Sequence, residues 1–110
     1  MSKMKDLKLV LKKKWYDMIA SGEKKEEYRE ITGYWITRIN NAVDSVYSID
    51  NLGREQTHMT YAPVTFYLGY SKERPSMTFE IKDIILGRGK EEWGAEPGKD
   101  YFVIKLGERI

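Results

Sequence analysis

The chain of 110 residues contains no cysteine and a single histidine, His58. Without thiols the protein has no disulfide bonds, no disulfide-linked partner, no cysteine nucleophile and no zinc–thiolate site. A lone imidazole also argues against a histidine-based zinc site, so we expect neither a metal nor another cofactor. These absences are typical of the cytoplasm, and we expect a cytoplasmic protein.

Long hydrophobic runs are also missing. A membrane-spanning helix needs about 20 consecutive apolar residues, and no stretch of this sequence approaches that length. Residues 1–6 have no apolar run after their lysines, so no secretory signal is predicted. The length suits one domain with one core. A net charge of +2 is too small to identify a nucleic-acid-binding protein by itself.

Charge is concentrated at residues 21–30, SGEKKEEYRE, which hold seven charged side chains and one tyrosine. Glu and Lys favour a helix by propensity, but Gly22 inside that helix would cost about 1 kcal/mol. A strand would divide the segment into two faces by alternation. One face would hold Lys24, Glu26, Tyr28 and Glu30, and the other Lys25, Glu27, Arg29 and Ile31. The residues alone leave helix and strand open.

The residues before this charged segment predict a strand and a short helix. Leucines alternate over residues 7–11, which indicates a half-buried strand. Trp15, Met18 and Ile19 follow at helical spacing and predict a helix over about residues 12–21, with Trp15 in the core. Gly22 is predicted to be its left-handed C-terminal cap.

The next stretch predicts a second helix and then an irregular segment. Thr32 is predicted to be the N-cap of a helix whose buried face includes Trp35 and Ile39. Clear periodicity is lost over about residues 44–62. The turn sequence DNLG at residues 50–53 makes this segment either a hairpin or an extended loop.

The C-terminal half predicts β-structure, because apolar and polar residues alternate in three stretches separated by turn sequences. The predicted strands cover residues 64–68, 77–86 and 102–106, and the predicted turns lie at residues 72–75, 87–89 and 96–98. Gly107 is predicted to end the last strand. Short strands combined with two early helices predict an α+β fold built on a small mixed β-barrel.

Three segments together resemble one known family. They are LKKKWYDMIASGEKKEEYRE, a YW pair at the second helix, and FYLGYSKERPSMTFEIKDIILGRGKEEWGAEPGKDYFVIKLG. Their order and spacing resemble the ASCH domain, a member of the PUA-like superfamily of small β-barrels. The resemblance covers nearly the whole chain as a single domain and marks about residues 41–62 as an insertion or mobile loop. It implies that Gly22 closes the first helix and that residues 24–31 form a strand beside a cleft.

The resemblance also implies a ligand site in that cleft. In a partly dry cleft the Lys24 amine can lose its proton and act as a base or nucleophile, because desolvation disfavours the charged form. The planar guanidinium of Arg29 suits a phosphate or carboxylate. If the protein is an enzyme, Lys24 and Glu27 are the catalytic candidates. The candidate ligand-binding residues are Lys24, Glu27, Tyr28, Arg29, Tyr70, Ser71 and Trp93.

Three functions are compatible with these residues. The first is binding of RNA or a nucleotide-like ligand beside residues 24–31. The second is an amidohydrolase-like enzyme acting on acyl-modified nucleosides, although Lys25 and Glu27 stand where such family members carry threonines. The third is a non-catalytic protein-interaction module, which an exposed apolar patch on residues 44–62 would favour.

Overall fold

A five-stranded mixed sheet and a separate two-stranded hairpin make up the β-structure of the protein. The computed structural model describes residues 4–110. In chain order the elements are β1 (Leu7–Leu11), α1 (Lys13–Ala20), β2 (Glu26–Arg29), α2 (Gly33–Asn41), β3 (Val43–Ile49), β4 (Glu55–Tyr61), β5 (Val64–Leu68), β6 (Ser76–Arg88), a 3-10 turn (Glu91–Trp93) and β7 (Asp100–Arg109).

The large sheet has the strand order β1-β5-β6-β7-β2. Only β1 and β5 pair in parallel, and the other neighbours are antiparallel. The sheet curls so strongly that its two edges meet: the Nη2 atom of Arg29 on β2 donates a hydrogen bond to the carbonyl oxygen of Val10 on β1, at 3.3 Å. The predicted α+β class with two helices in the N-terminal half is confirmed, and the barrel is an open half-barrel.

The core lies on the concave face of this half-barrel. The predicted alternation of β1 and β5 is confirmed, because their inward side chains are buried and the intervening ones are more exposed. Phe66 at its centre is fully buried and contacts the ring of Phe79 edge-on, at 6.0 Å between centroids. A second, smaller cluster forms around Tyr28, Ala95, Tyr101 and Val103. Each large apolar side chain contributes roughly 1.5–3 kcal/mol by leaving water.

Helix α1 packs on the core through Tyr16 and Ile19, which are buried. The prediction that Trp15 belongs to the core is wrong, since this side chain is only half-buried and lies outside the core clusters. Trp15 instead lines a cleft beside β2, while Tyr16 and Ile19 are the buried residues of the helix. The predicted cap is confirmed: Gly22 is left-handed, with φ of 85°.

The charged segment after Gly22 forms a strand over Glu26–Arg29, paired antiparallel with β7. The strand prediction is therefore confirmed for these four residues. The prediction that Lys24 lies on the face opposite Glu27 is wrong, because Lys24 precedes the strand and alternation does not apply to it. Its amine instead contacts the carboxylate of Glu27.

Helix α2 begins as predicted, since the Thr32 side chain accepts a hydrogen bond from the Trp35 amide at 3.3 Å. Ile39 is its buried residue, and Trp35 packs against the edge of the core. Neither α2 nor any other helix in the described part of the chain is long and apolar enough to span a membrane.

The segment after α2 is the hairpin of β3 and β4, one of the two structures that its sequence allowed. Its pairing places Val43, Tyr47 and Ile49 on one face together with Met59 and Tyr61. Val43 and Tyr61 pack against the core. The other three are more than half exposed. The hairpin therefore carries an apolar face that begins at the core and continues into solvent.

The last two strands are longer than predicted. Strand β6 continues through Arg88, so the predicted turn at residues 87–89 is largely strand. The prediction that Gly107 ends the last strand is also wrong, because β7 runs to Arg109. The pairing register shifts between Phe79 and Ile81. This bulge takes up Gly107 and allows the strand to continue.

Close packing at Gly89 provides a test of how the smaller core cluster is built. A Cβ atom on Gly89 would lie 2.7 Å from the Cβ of Ala95 and from the Tyr28 ring. We expect Gly89→Ala to lower the free energy of unfolding by about 1–3 kcal/mol, the usual cost of overpacking. Urea unfolding monitored by circular dichroism measures this loss.

The matched control is Gly87→Ala, two residues earlier, where a Cβ atom would meet nothing within 4 Å. This variant should lose no stability, because the added methyl group enters open space. Equal stabilities of the two variants would contradict the packing of Gly89 against Tyr28.

Candidate functional site

A cleft of about 270 Å³ lies where the edges of the half-barrel meet. Its volume is near the lower end of the range for small-molecule sites, about 300–1,000 Å³, so it suits one base or nucleoside. Four aromatic side chains line it: Trp15, Tyr28, Trp93 and Tyr101. The charged side chains that line it are Lys12, Glu27 and Arg29.

A chain of three charged groups runs along the β2 side of the cleft. The Lys24 Nζ atom lies 2.5 Å from Glu27 Oε1, and the Arg29 Nη2 atom donates to Glu27 Oε2 at 2.8 Å. Glu27 Oε1 also accepts the backbone amide of Tyr28 at 3.1 Å. The carboxylate thus has three donors, and its position is fixed between the two cations.

Lys24 is the most deeply buried charged residue described, with 1% of its surface exposed. It does not line the cleft, but its ammonium lies behind Glu27 and within 5.5 Å of the ring centroids of Trp15 and Tyr28. Burial lowers the pKa of Lys24, and the neighbouring Glu27 carboxylate opposes this only in part. The desolvation that was predicted for the Lys24 amine is thus present, although the amine is covered.

Of the two cations that contact Glu27, Arg29 is the one that lines the cleft. Its Nη2 atom is shared between Glu27 and the Val10 carbonyl oxygen, and its guanidinium lies 5.1 Å from the ring centroid of Trp35. Its Nε atom is buried and has no acceptor. An unpaired buried donor costs about 1–3 kcal/mol, and such a group calls for a specific explanation.

The segment at residues 89–95 closes the cleft from the opposite side. Tyr28 holds this segment, since its hydroxyl accepts the Lys90 amide at 3.0 Å and donates to Glu26 at 2.8 Å. Burial raises the pKa of Tyr28, so the phenol stays protonated at neutral pH. Gly94 then takes a left-handed conformation, φ of 101°, and a Cβ atom there would lie 3.0 Å from the Trp15 ring.

The structure brings together most, but not all, of the predicted site residues. Glu27, Tyr28, Arg29 and Trp93 line one cleft, and Lys24 lies directly behind it. Tyr70 and Ser71 do not line it. Both are exposed in the turn after β5, where Ser71 Oγ accepts the Glu73 amide. The end of β5 does lie near the cleft, since the Gly69 amide donates to the carbonyl oxygen of Leu11, but the two side chains that follow do not enter it.

Several cleft residues were missed by sequence reasoning. Trp15 was assigned to the core because it shares helical spacing with Ile19, and periodicity cannot tell one side of a short helix from its neighbour. Lys12 is the first of three consecutive lysines, a pattern that by itself does not mark a site. Tyr101 was not singled out, although its alternation with Phe102 and Val103 was visible. Its proximity to Tyr28, 5.8 Å between ring centroids, depends on β2–β7 pairing.

A larger groove of about 600 Å³ lies on the other side of Lys24. Ile19, Phe79 and Leu106 supply its apolar walls, and Lys25 and Lys82 are among its charged residues. Lys25 and Lys82 are exposed and make no ion pairs within residues 4–110. The smaller cleft is the better-ordered candidate site because Glu27 and Arg29 are fixed by hydrogen bonds.

No described group of three or more His, Asp or Glu residues is arranged to hold a metal ion. Comparisons of the chain with family models, with curated proteins and with solved structures found no match. The resemblance to the ASCH domain therefore stays a prediction from the sequence.

The buried position of Lys24 generates a pH-dependent prediction. In the unfolded chain the amine keeps its proton up to about its ordinary pKa of 10.5, whereas in the folded protein it releases the proton at lower pH. We therefore expect the ε-methylene resonances of Lys24, followed by NMR, to titrate below 10.5. The Lys24 resonances are assigned by comparing the native spectrum with that of a Lys24→Met variant, which lacks them.

The same shift has a consequence for stability. Between the folded and unfolded pKa values of Lys24, the unfolded chain binds more protons, so the unfolding free energy contributed by this residue rises with pH. The unfolding free energy of the native chain minus that of Lys24→Met should increase across this window. A difference that is flat or falls with pH would contradict the burial of the amine.

Proposed function

We propose that this protein binds RNA or a nucleotide in the cleft beside β2, in the manner that its resemblance to the ASCH domain implies. The observation that carries the proposal is the state of Arg29. This guanidinium lines an aromatic cleft and is held there by hydrogen bonds to Glu27 and to the Val10 carbonyl oxygen. An anionic ligand would add a strong, charge-assisted partner to this arginine.

The charges around the cleft support an anionic ligand. Lys12 and Arg29 line it, and Glu27 is the one carboxylate among the described lining residues. Both Glu27 oxygens already accept hydrogen bonds from the protein. The remaining field in the cleft is therefore positive, and clefts lined by one sign of charge concentrate ligands of the opposite sign.

The aromatic walls support a ligand that also has a flat ring. Trp15 and Trp93 are only partly buried, so each has ring surface left to offer. Stacking of a base on an aromatic side chain contributes about 1–3 kcal/mol and requires no particular base. Gly94 keeps Trp15 and Trp93 close together because it leaves no side chain between them and tolerates the left-handed turn.

The guanidinium of Arg29 provides the first test of the proposal. Arg29→Lys keeps the charge but removes the planar fork that fits phosphate. A hydrogen bond to a charged group is worth about 1.5–3 kcal/mol, so we expect roughly tenfold to hundredfold weaker binding. Quenching of tryptophan fluorescence, titrated with each common ribonucleoside 5′-monophosphate, measures the affinity.

The matched control for this experiment is Arg88→Lys. Arg88 is an exposed arginine on β6, paired with Asp100 at 2.7 Å and absent from the cleft wall. The control should bind like the native chain. The proposal fails if no monophosphate and no short RNA binds at low salt, or if Arg29→Lys binds as tightly as Arg88→Lys.

The hydrolase alternative has one observation in its favour. The lowered pKa of Lys24, together with the adjacent Glu27 carboxylate, is what a catalytic base or nucleophile requires. Against it, Lys24 is only 1% exposed and does not line the cleft, although it is among the residues that line the larger groove. Turnover of acylated nucleosides that disappears in Lys24→Ala would support the enzyme, and undiminished turnover in that variant would dismiss it.

The protein-interaction alternative is supported by the hairpin. Tyr47, Ile49 and Met59 are exposed on its apolar face, and exposed apolar patches are common at protein contacts. This surface is separate from the cleft. A Tyr47→Ser variant should therefore keep native nucleotide affinity, and a loss of affinity would argue that the hairpin, not the cleft, holds the ligand.

A further inference from the structure

Four lysines form a second charged surface next to the cleft. Lys25, Lys82, Lys90 and Lys105 line one shallow concavity of about 260 Å³, together with Trp93, Glu26 and Leu106. We call these four residues the lysine surface. They are far apart in the sequence, so no basic run indicates them.

The fold assembles the lysine surface from two strands and two flanking segments: Lys82 is on β6, Lys105 is on β7, Lys25 directly precedes β2 and Lys90 follows β6. Lys105 on β7 lies opposite Glu26 on β2 and opposite Asp83 on β6. The pairing of β6 with β7 shifts register between Ile81 and Asp83, so Lys82 is an extra residue at a β-bulge. Bulges redirect side chains and are common next to functional sites. Here the bulged residue lines the same concavity as Lys105.

The charges of the lysine surface are only partly offset by the protein. Over residues 4–110, none of the four ammonium groups takes part in an ion pair. Glu26, whose Oε1 atom accepts the Tyr28 hydroxyl, is the single carboxylate in the concavity, so four lysines face one acidic residue. Four like charges on one concave surface repel one another, and a polyanion that lies across them relieves this repulsion.

Trp93 joins the lysine surface to the cleft, because its side chain lines both. The Lys90 ammonium lies 4.3 Å from the centroid of a Trp93 ring. On its other side the lysine surface borders the larger groove, with which it shares Lys25, Lys82 and Leu106. Cleft, lysine surface and groove therefore form one continuous path along β2, β7 and β6.

We propose that this path is a track for a single-stranded polynucleotide, with one base in the cleft and the following phosphates on the lysine surface. The inference rests on the proposed function and specifies its ligand as a strand of several nucleotides. Alternating aromatic rings and cations are the general means by which proteins bind single strands. A duplex does not fit, because its bases are stacked inside the helix and cannot enter a cleft this small.

An acidic protein segment fits the same surfaces less well. Its carboxylates would suit the four lysines, but it offers no flat ring to the aromatic cleft on the other side of Trp93. The chemistry shared by RNA and single-stranded DNA, a base next to a phosphate, matches both parts of the path. The two nucleic acids differ in the 2′-hydroxyl group, and the experiment compares them.

The test measures how affinity grows with ligand length. Fluorescence anisotropy follows binding of a labelled single-stranded RNA octanucleotide of mixed sequence, and the ribonucleoside monophosphates are used as competitors. We expect the native chain to bind the octanucleotide at least about tenfold more tightly than a monophosphate, because added phosphate contacts release counterions. In the double variant Lys82→Gln/Lys105→Gln, the ratio of octanucleotide affinity to monophosphate affinity should fall by roughly tenfold.

Salt dependence gives a second readout that a folding defect does not produce. Each lost phosphate contact lowers the slope of log affinity against log salt by about 0.7 for a single strand. The double variant should therefore lose about 1.4 from this slope. The control, Lys8→Gln/Lys72→Gln, removes the same charge from two exposed lysines outside the path and should keep the native slope.

Each outcome decides between the two proposals. If Arg29→Lys weakens binding but the lysine double variant keeps both native affinity and native slope, the track is wrong and the cleft remains the site. If the octanucleotide binds no more tightly than a monophosphate, the track is also wrong. If neither ligand binds, the proposed function fails with it. If single-stranded DNA of the same sequence binds as tightly as the RNA, the track is supported and makes no contact with the 2′-hydroxyl group. If the RNA binds more tightly, the track is supported and includes such a contact.

Discussion

The buried ionic chain from Lys24 through Glu27 to Arg29 is the interaction on which the architecture of the site depends. Two cations share one carboxylate; Lys24 and Glu27 are buried, and Arg29 is partly exposed at the cleft. Removing one member of a buried pair typically costs 3–5 kcal/mol, because the remaining charge is then uncompensated. An apolar replacement of the whole group would often be as stable. The main effect of these three charged groups is thus to fix the position of the Arg29 guanidinium, and their contribution to the stability of the fold is secondary.

Arg29 can take this position because the half-barrel does not close. Strands β1 and β2 are the edges of the sheet, and unpaired edges ordinarily invite pairing with other chains. Here the seam between them is bridged by a side chain: Arg29 reaches the Val10 carbonyl, and the cleft occupies the gap beside this bond. A complete barrel would fill the gap with backbone hydrogen bonds and leave no room for a ligand. The open seam and the candidate site are therefore the same structural feature.

The residues around the seam show how local conformation supports the site. Gly22 ends α1 in a left-handed conformation and returns the chain so that Lys24 enters the interior. Gly94 likewise takes a left-handed conformation, and it reverses the chain in the turn that carries Trp93. Between them, Tyr28 links β2 to that turn through the Lys90 amide.

Local patterns in the sequence were sufficient for several elements: alternating apolar residues specified β1 and β5, Gly22 and Thr32 specified helix ends, and the open half-barrel belongs to the predicted α+β class. The residues alone left β2 open between helix and strand, and the hairpin of β3 and β4 open between hairpin and loop. What only the tertiary structure decided is which charges meet. Alternation assigned Lys24 to the face opposite Glu27, spacing assigned Trp15 to the core, and nothing local joined Lys25, Lys82 and Lys105. The physical reason is that side-chain partners across a curled sheet depend on strand register, bulges and the curvature that brings its edges together, and these depend on residues far apart in the chain.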